Sequence, residues 1–305
     1  MTVRERTLAS FGQARLWFLD QLRPGSPDYL LPMALRIRGR LDVPALAGAV
    51  AAIVERHPVL RSRYSVVAGE LMQCPADAAE IFRTRDLTDV SEDDFIAAEL
   101  RSPMDLATQP PLRVVLGRVT EHHHLLLVVA HHIAFDGLSW AIFGAELSAL
   151  YRGDELPPLA AGYADFAQWQ RERLDGPRTA ASLEHWRASL RDLTPLRLPT
   201  DRPRPPVWDG AGDVVRFEVP ADLLAGVDAV AKSRRATRYM VLLAAFQTLL
   251  ARYTGQTDIA VGAPVAGRGR PTDAALIGLF VNSVVLRTDV SGRPSFDALV
   301  DRVRA

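Results

Sequence analysis

The sequence has 305 residues, enough for one large domain or for two lobes with sizeable cores. Hydrophobic residues make up 48% and charged residues 24%, a balance that indicates a soluble globular protein and excludes a disordered chain. The 36 Lys and Arg residues are matched by 36 Asp and Glu residues, so no overall charge draws the chain to nucleic acid or to an anionic membrane.

The cysteine content and the hydropathy of the sequence further restrict the class of protein. Cys74 is the single cysteine, which excludes an internal disulfide and a cysteine-rich zinc site. The first residues lack the apolar core of a signal peptide, and no apolar run reaches the about 18 residues of a spanning helix. We therefore expect a cytoplasmic protein with no membrane or nucleic-acid partner.

Strand and helix patterns alternate along the first half of the chain. Residues 35–43 alternate as a strand, and residues 42–60 have the spacing of a helix. Residues 111–120 predict another strand, and the apolar run at 124–130 predicts a strand buried on both faces. Residues 138–151 predict an amphipathic helix that follows this strand.

A proline-rich segment divides the chain. RDLTPLRLPTDRPRPPVWD, residues 191–209, carries five prolines and indicates an extended connector. We assign residues 1–175 to a first lobe, 176–210 to the connector and 211–305 to a second lobe. The alternation of strands and helices predicts an α/β architecture.

Four elements are predicted after the connector. DVVRFEVP is expected to be a strand, and RYMVLLAAFQTLLARY a strongly apolar, buried helix. DIAVGAPVAGRGR is expected to be a strand that runs into a loop, and LIGLFVNSVVLRTDV another strand. The positions of these segments are 213–220, 238–253, 258–270 and 276–290.

The stretch HHIAFDG, residues 131–137, joins the buried strand to the helix that follows. Adjacent residues of an extended chain point to opposite sides, so only one of His131 and His132 can face a given cavity. A histidine there suits proton transfer near neutral pH, and Asp136 can orient an imidazole or pair with an arginine. Gly137 allows a close approach of the backbone to a ligand. From spacing alone, a catalytic and a purely structural histidine pair remain open.

A metal site is the other kind of site that a group of histidines can indicate. His122, His123 and His124 lie upstream in the same strand region. His124 and His132 would be about 26 Å apart along an extended strand, too far to share one metal ion. We therefore predict no metal site.

Several segments in order resemble one family. HHIAFDG fits the HHxxxDG motif of the condensation-domain superfamily, which also holds acyltransferases of the chloramphenicol acetyltransferase type. SFGQARLWFLDQL, RHPVLRSRY and YADFAQWQ resemble the first, second and fourth core motifs of nonribosomal peptide synthetase condensation domains, and VGAPVAGR and IGLFVNSVVLR resemble later ones. These segments begin at residues 10, 56, 163, 261 and 277. The opening of the chain is most similar to the subtype that joins an L-configured donor to an L-configured acceptor.

The resemblance implies a fold and a reaction. The fold is two chloramphenicol-acetyltransferase-like lobes arranged as a V, with the active site in a tunnel between them. In the reaction, the amine of an aminoacyl thioester on one carrier protein attacks the thioester of a donor on another, and an amide forms. The phosphopantetheine arms of the carriers present both substrates, so no directly bound cofactor is expected. Flanking adenylation domains, a monomeric state and a place in antibiotic or other secondary metabolite biosynthesis are also implied.

The resemblance assigns roles to the motif residues. His132 is expected at the reacting centre, where it deprotonates the acceptor amine or positions it; both roles remain open. Asp136 is expected to be structural and paired with an arginine, for which Arg268 is the first candidate and Arg15 the second. Gly137 and His131 complete the motif. Ser10, Asn282 and Ser283 are expected to line the tunnel, although exposed strand positions explain the last two almost as well.

The chain also departs from the family pattern. Residues 295–305 are predicted to form a helix, whereas condensation domains continue beyond this point with two further motifs. We expect an incomplete second lobe with exposed apolar surface, which leaves activity of the chain as given in question. Two other functions remain open: acyl transfer from coenzyme A to a soluble acceptor, and a non-catalytic recruitment domain. The intact HHxxxDG motif favours catalysis.

Overall fold

The computed structural model describes residues 6–76, 81–174, 177–203, 205–206 and 212–305. Strands and helices are mixed along this part of the chain, as predicted. The strands are β1 (Thr7–Leu8), β2 (Leu30–Arg38), β3 (Ser62–Val67), β4 (Glu70–Pro75), β5 (Phe82–Asp86), β6 (Leu112–Thr120), β7 (His123–His131), β8 (Asp258–Val265) and β9 (Asn282–Asp289). The helices are α1 (Phe11–Leu22), α2 (Val43–Arg56), α3 (Glu92–Arg101), α4 (Gly137–Tyr151), α5 (Tyr163–Leu174), α6 (Pro177–Ser189), α7 (Ala221–Ser233), α8 (Arg238–Thr254) and α9 (Phe296–Arg304).

The chain folds into two compact units. The first comprises Met1–Thr179 and Ala266–Asn282, and the second comprises Ala180–Val265 and Ser283–Ala305. The domain boundaries drawn from the sequence at 175 and 210 remain a prediction. The units differ from that division in two respects. The residues assigned to the connector are divided between the units after Thr179, and segment 266–282 lies in the first unit although the sequence assigned it to the second lobe.

A four-stranded sheet forms the centre of the first unit. Its strand order is β2-β7-β6-β5, with β7 antiparallel to both β2 and β6 and with β5 parallel to β6. Side chains of β7 alternate between two apolar clusters. Leu126 and Val128 share a cluster with residues of α2 and α4, whereas Leu127 and Val129 share one with Phe95 of α3. This strand is therefore buried on both faces, as its continuous apolar run predicted.

Segment 266–282 contributes to the core of the same unit. Leu276, Ile277, Leu279 and Phe280 are buried in the cluster that also holds Phe143 of α4. Burial of these apolar side chains stabilises the packing of the segment in the core of the first unit. A smaller sheet, with strand order β1-β4-β3, completes this unit.

The second unit has a two-stranded sheet, β8-β9, and a small apolar core. The core cluster consists of Ala231, Val241, Ala244, Leu299 and Val300. The burial predicted for α8 is found on one side of the helix. The helix buries one face only, and its exposed apolar side chains are Tyr239, Leu242, Phe246, Leu249 and Tyr253.

Two other predicted features of this region differ from the structure. The predicted strand at 213–220 is not formed, and Val215 and Phe217 are 88% and 83% exposed. A segment of alternating apolar and polar residues forms a strand only beside another strand with which it exchanges backbone hydrogen bonds. Among the described residues, no strand pairs with this segment. The predicted connector 176–210 contains the whole of α6. Residues 176, 204 and 207–210 of this connector lie outside the described part of the chain.

In the part of the chain that the structure describes, no helix combines the length and apolar character needed to cross a membrane.

Candidate active site

The HHIAFDG stretch is a tight turn between the central strand β7 and helix α4. His131 ends the strand, and residues His132–Ala134 form one 3₁₀ turn. Asp136 is the N-cap of α4, with extended backbone and a side chain that accepts a hydrogen bond from the Ser139 N–H group. The two histidines therefore stand at the edge of the sheet, on a turn whose second end is fixed by a helix cap.

His131 is a buried structural residue. Its side chain is 2% exposed, and Nδ1 accepts a hydrogen bond from the Ile133 N–H group at 3.1 Å. A nitrogen that accepts carries no proton, so the proton of the neutral ring lies on Nε2. Burial, with a smaller effect of neighbouring His132, lowers the pKa of His131 to about 4.

His132 has the opposite arrangement of its ring nitrogens. Nδ1 lies 2.6 Å from the carbonyl oxygen of Phe135. Because a carbonyl oxygen only accepts hydrogen bonds, Nδ1 must carry the proton. In the neutral ring, Nε2 then holds the free lone pair. The side chain is half-buried, so a nitrogen able to accept a proton is held on a fixed ring within reach of solvent.

Asp136 is the centre of a buried polar cluster. Its Oδ1 accepts hydrogen bonds from the backbone N–H and the hydroxyl of Ser139, at 2.9 and 2.8 Å, and from Arg268 Nη2 at 2.9 Å. Its Oδ2 accepts one from the Phe280 N–H group at 3.2 Å. The carboxylate thus joins the start of α4 to segment 266–282.

Arg268 is the ion-pair partner of Asp136 in the structure. Its Nη1 also donates to the carbonyl oxygens of Asp273 and Leu276, at 2.7 and 2.6 Å, and its guanidinium lies 4.0 Å from the centre of the Phe280 ring. Arg15, the second candidate, instead donates to Asn282 Oδ1 at 3.3 Å.

The other predicted site residues lie outside the cluster around Asp136. Gly137 is exposed, and a Cβ atom built on it would meet no atom within 4 Å. Asn282 and Ser283 are exposed at the start of β9. Ser10 is 1% exposed, caps α1 and contacts the Tyr163 hydroxyl at 2.9 Å. Its tunnel-lining role stays a prediction that this burial does not support.

Sequence reasoning missed two residues of the cluster. Ser139 is fully buried and contacts the backbone N–H and carbonyl of Gly278, both at 3.2 Å. Tyr163 is the other residue, and its hydroxyl donates to the Leu279 carbonyl oxygen at 2.6 Å. The signal for Tyr163 was its place at the start of the YADFAQWQ segment, but no spacing rule links it to residue 279.

A second buried ionic network braces the same elements. Glu146 of α4 accepts from Arg56 Nε at 2.9 Å and lies 2.9 Å from His57 Nε2. Burial opposes ionisation of Glu146, but the hydrogen bonds from His57 and Arg56 and the positive charge of Arg56 outweigh it and lower the pKa of the carboxyl. The Ile277 N–H group donates to His57 Nδ1 at 3.4 Å, so this network also reaches segment 266–282.

Comparison with known proteins identifies the family of this chain. A family model described as the condensation domain matches residues 3–305. The chain belongs to the condensation domain family. Among curated relatives, the isonitrile lipopeptide synthase of Mycobacterium tuberculosis is 41% identical over 315 residues, which are 97% of this chain and 12% of the relative. The phosphinothricin tripeptide synthetase PhsC of Streptomyces viridochromogenes is 39% identical over 310 residues, 97% of this chain and 28% of the relative. This condensation domain therefore spans a small fraction of the length of these relatives.

Solved structures support the same fold. The X-domain from teicoplanin biosynthesis is 31% identical, with a TM-score of 0.88 over 100% of this chain and 70% of the other. The same domain is also known in a complex with OxyB. The first condensation domain of the calcium-dependent antibiotic synthetase, 24% identical with a TM-score of 0.78, matches 98% of this chain and 73% of its own, and supports the fold alone. The α/β fold of this condensation domain is thus of the chloramphenicol acetyltransferase type, as the sequence resemblance implied.

Proposed function

We propose that this condensation domain forms an amide bond between two carrier-bound thioesters in nonribosomal peptide synthesis. The donor is an acyl or peptidyl thioester, and the acceptor is an aminoacyl thioester. The observation that carries the proposal is the fixed orientation of His132. Its Nδ1 is held by the Phe135 carbonyl oxygen, which leaves Nε2 free to accept a hydrogen bond from an amine.

The reaction needs little beyond such a group and correct positioning. The acceptor amine attacks the donor carbonyl carbon, a C–N bond forms, and the C–S bond to the donor pantetheine breaks. His132 Nε2 accepts a proton from the amine nitrogen, and the departing thiolate is protonated in turn. An imidazole hydrogen-bonded to the amine serves both as base and as positioning group.

The surroundings of His132 support this role. Asp136 and Arg268 fix the start of α4, and the turn that carries His132 is anchored to that start. Gly137 has no packing neighbour that would demand a glycine, so the space beside it is free for a substrate. The phosphopantetheine arms of donor and acceptor carriers would supply the thioesters.

The wider setting is part of the same proposal. We place the chain in the cytoplasm, as a monomer acting beside adenylation and carrier domains of a synthetase. Similarity of its opening segment to the corresponding subtype favours an L-configured donor and an L-configured acceptor.

A second candidate is a non-catalytic recruitment domain. The similarity to the teicoplanin X-domain, which forms a complex with OxyB, favours it. The intact set of His131, His132, Asp136 and Gly137 favours catalysis instead.

The choice of donor separates the candidates. Single-turnover assays would offer one acceptor aminoacyl carrier and the same acyl group either on a donor carrier or on coenzyme A. We expect amide only from the carrier-bound donor, in this chain or in a version continued through the later family motifs. Equal rates with the coenzyme A donor would favour a soluble acyltransferase. No amide from either version, with both carriers still bound, would favour recruitment.

A further inference from the structure

The hydroxyl of Tyr163 lies at one end of a chain of hydrogen bonds that leads to His132. Tyr163 begins α5 and is buried, with its ring packed against Phe280. Its hydroxyl donates to the Leu279 carbonyl oxygen, which uses its only proton. Ser10 Oγ, 2.9 Å away, must therefore be the donor to the tyrosine oxygen.

One peptide group connects Tyr163 to Asp136. The Leu279 carbonyl and the Phe280 N–H belong to the same peptide unit. The carbonyl accepts from Tyr163 at 2.6 Å, and the N–H donates to Asp136 Oδ2 at 3.2 Å. Hydrogen bonds at both ends of a peptide unit fix its plane and strengthen each other.

A second peptide group connects the helix cap to His132. The Phe135 carbonyl accepts from His132 Nδ1 at 2.6 Å. The N–H of the same unit, that of Asp136, donates to Ser139 Oγ at 3.4 Å, and Ser139 is in turn bonded to the Asp136 carboxylate. The plane of this peptide sets the direction of the carbonyl that holds the His132 ring.

We propose that Tyr163 is a positioning residue for His132, acting through these two peptide groups, Asp136 and Ser139. This inference rests on the proposed function of His132 and adds a residue from the YADFAQWQ segment to its support. Without the hydroxyl, the Leu279 carbonyl oxygen loses its hydrogen-bond donor, and the 279–280 peptide is held at its N–H end alone. Asp136 Oδ2 then accepts from a donor whose direction is less firmly fixed, and the cap holds the Phe135 carbonyl less tightly in one orientation.

Tyr163→Phe removes the hydroxyl and keeps the ring. Tyr151→Phe is the matched control, because the Tyr151 hydroxyl accepts one hydrogen bond, from the Asp42 N–H at 3.0 Å, at the other end of α4. We expect Tyr163→Phe to lower the single-turnover rate roughly tenfold at saturating carriers without changing the half-saturating carrier concentration. Tyr151→Phe should keep the rate within about twofold. Replacement of Tyr163 by 4-aminophenylalanine, which restores a donor, should recover most of the rate.

Nitrogen-15 NMR of the histidine rings tests the inference without any assay of activity. The His132 signals are assigned by their loss in His132→Ala. The wild-type ring should show a protonated Nδ1 and an unprotonated Nε2, and Tyr163→Phe should shift toward a mixture of the two tautomers. Wild-type His132 signals in Tyr163→Phe would overturn the inference, whether or not the chain is active. Equal losses of rate in Tyr163→Phe and Tyr151→Phe would overturn it as well. An inactive wild type with the expected NMR change would count against the proposed function alone.

Discussion

Asp136 is the residue whose removal has the clearest energetic consequence. It is 2% exposed and balances the charge of Arg268, which is itself 8% exposed. Asp136→Ala leaves a buried guanidinium without its carboxylate, which typically costs about 3–5 kcal/mol. We expect a matching fall in the free energy of unfolding, measured with urea.

Asp228→Ala is the control for that prediction. Asp228 pairs with Arg238, but both side chains are about half exposed, so the pair is screened by water. The control should unfold at the wild-type urea concentration. An Asp136→Ala protein as stable as this control would show that the buried cluster has no structural role.

His131 gives the stability a dependence on pH. The folded pKa is about 4, below the ordinary 6.5, so the unfolded chain binds a proton that the folded chain does not. Stability therefore falls as the pH is lowered from about 6.5 to about 4, by up to roughly 3 kcal/mol. Urea unfolding at pH 7 and pH 5 measures this loss.

His131→Asn should reduce the pH dependence, because an amide oxygen can accept from the Ile133 N–H and does not titrate in this range. His185→Gln, at an exposed position, serves as the control and should keep the wild-type dependence. A His131→Asn protein with the full wild-type dependence would assign the effect to other groups.

The residues of the site were only partly accessible to sequence reasoning. The HHxxxDG pattern pointed to His132 and Asp136, because it is local and contiguous. Arg268 was found only through the family resemblance, since it lies far from Asp136 along the chain and no spacing rule crosses that distance. Tyr163 acts through backbone groups, and a backbone partner leaves no mark in the side-chain sequence.

Segment 266–282 is the element on which the site most depends. Gly278 lies against the Tyr163 ring, and a Cβ atom built on it would come within 2.1 Å of that ring. Real side chains do not approach so closely, so Gly278→Ala must displace either the ring or the segment. We expect a lower melting temperature and a reduced rate of amide formation.

Gly144→Ala is the matched substitution for Gly278→Ala. Gly144 lies inside α4, and a Cβ atom there would meet nothing within 4 Å. Alanine should stabilise the helix by about 1 kcal/mol. Equal melting temperatures for the two variants would contradict the close packing of Gly278 against Tyr163.

Helices and strands were predicted correctly where the local pattern of apolar residues is enough to define the element. The buried run of β7 and the period of α2 needed no knowledge of partners. The segment at 213–220 has equally good alternation but no neighbouring strand among the described residues, so it remains irregular. The apolar stretch of α8 was predicted to be a buried helix, although composition cannot distinguish a helix buried all round from one with an exposed apolar face.

At the scale of the whole molecule, the two units differ in how well their cores are covered. Clusters in the first unit enclose both faces of its central sheet, whereas the described residues of the second give a small cluster beside the exposed apolar face of α8. A unit that buries less apolar surface has a lower free energy of local unfolding. We expect limited proteolysis to cut first in the second unit and to leave a first-unit fragment. Equal resistance of both units would contradict this expectation.

The central claim is that His132 serves the reacting amine, and a single-turnover assay tests it most directly. Donor- and acceptor-loaded carriers would be mixed with this chain, with a version continued through the later family motifs, and with His132→Ala of each. We predict amide formation by the wild-type sequence and near-complete loss in His132→Ala, with unchanged melting temperature and carrier binding. A His132→Ala protein that forms the amide at the wild-type rate would contradict the account.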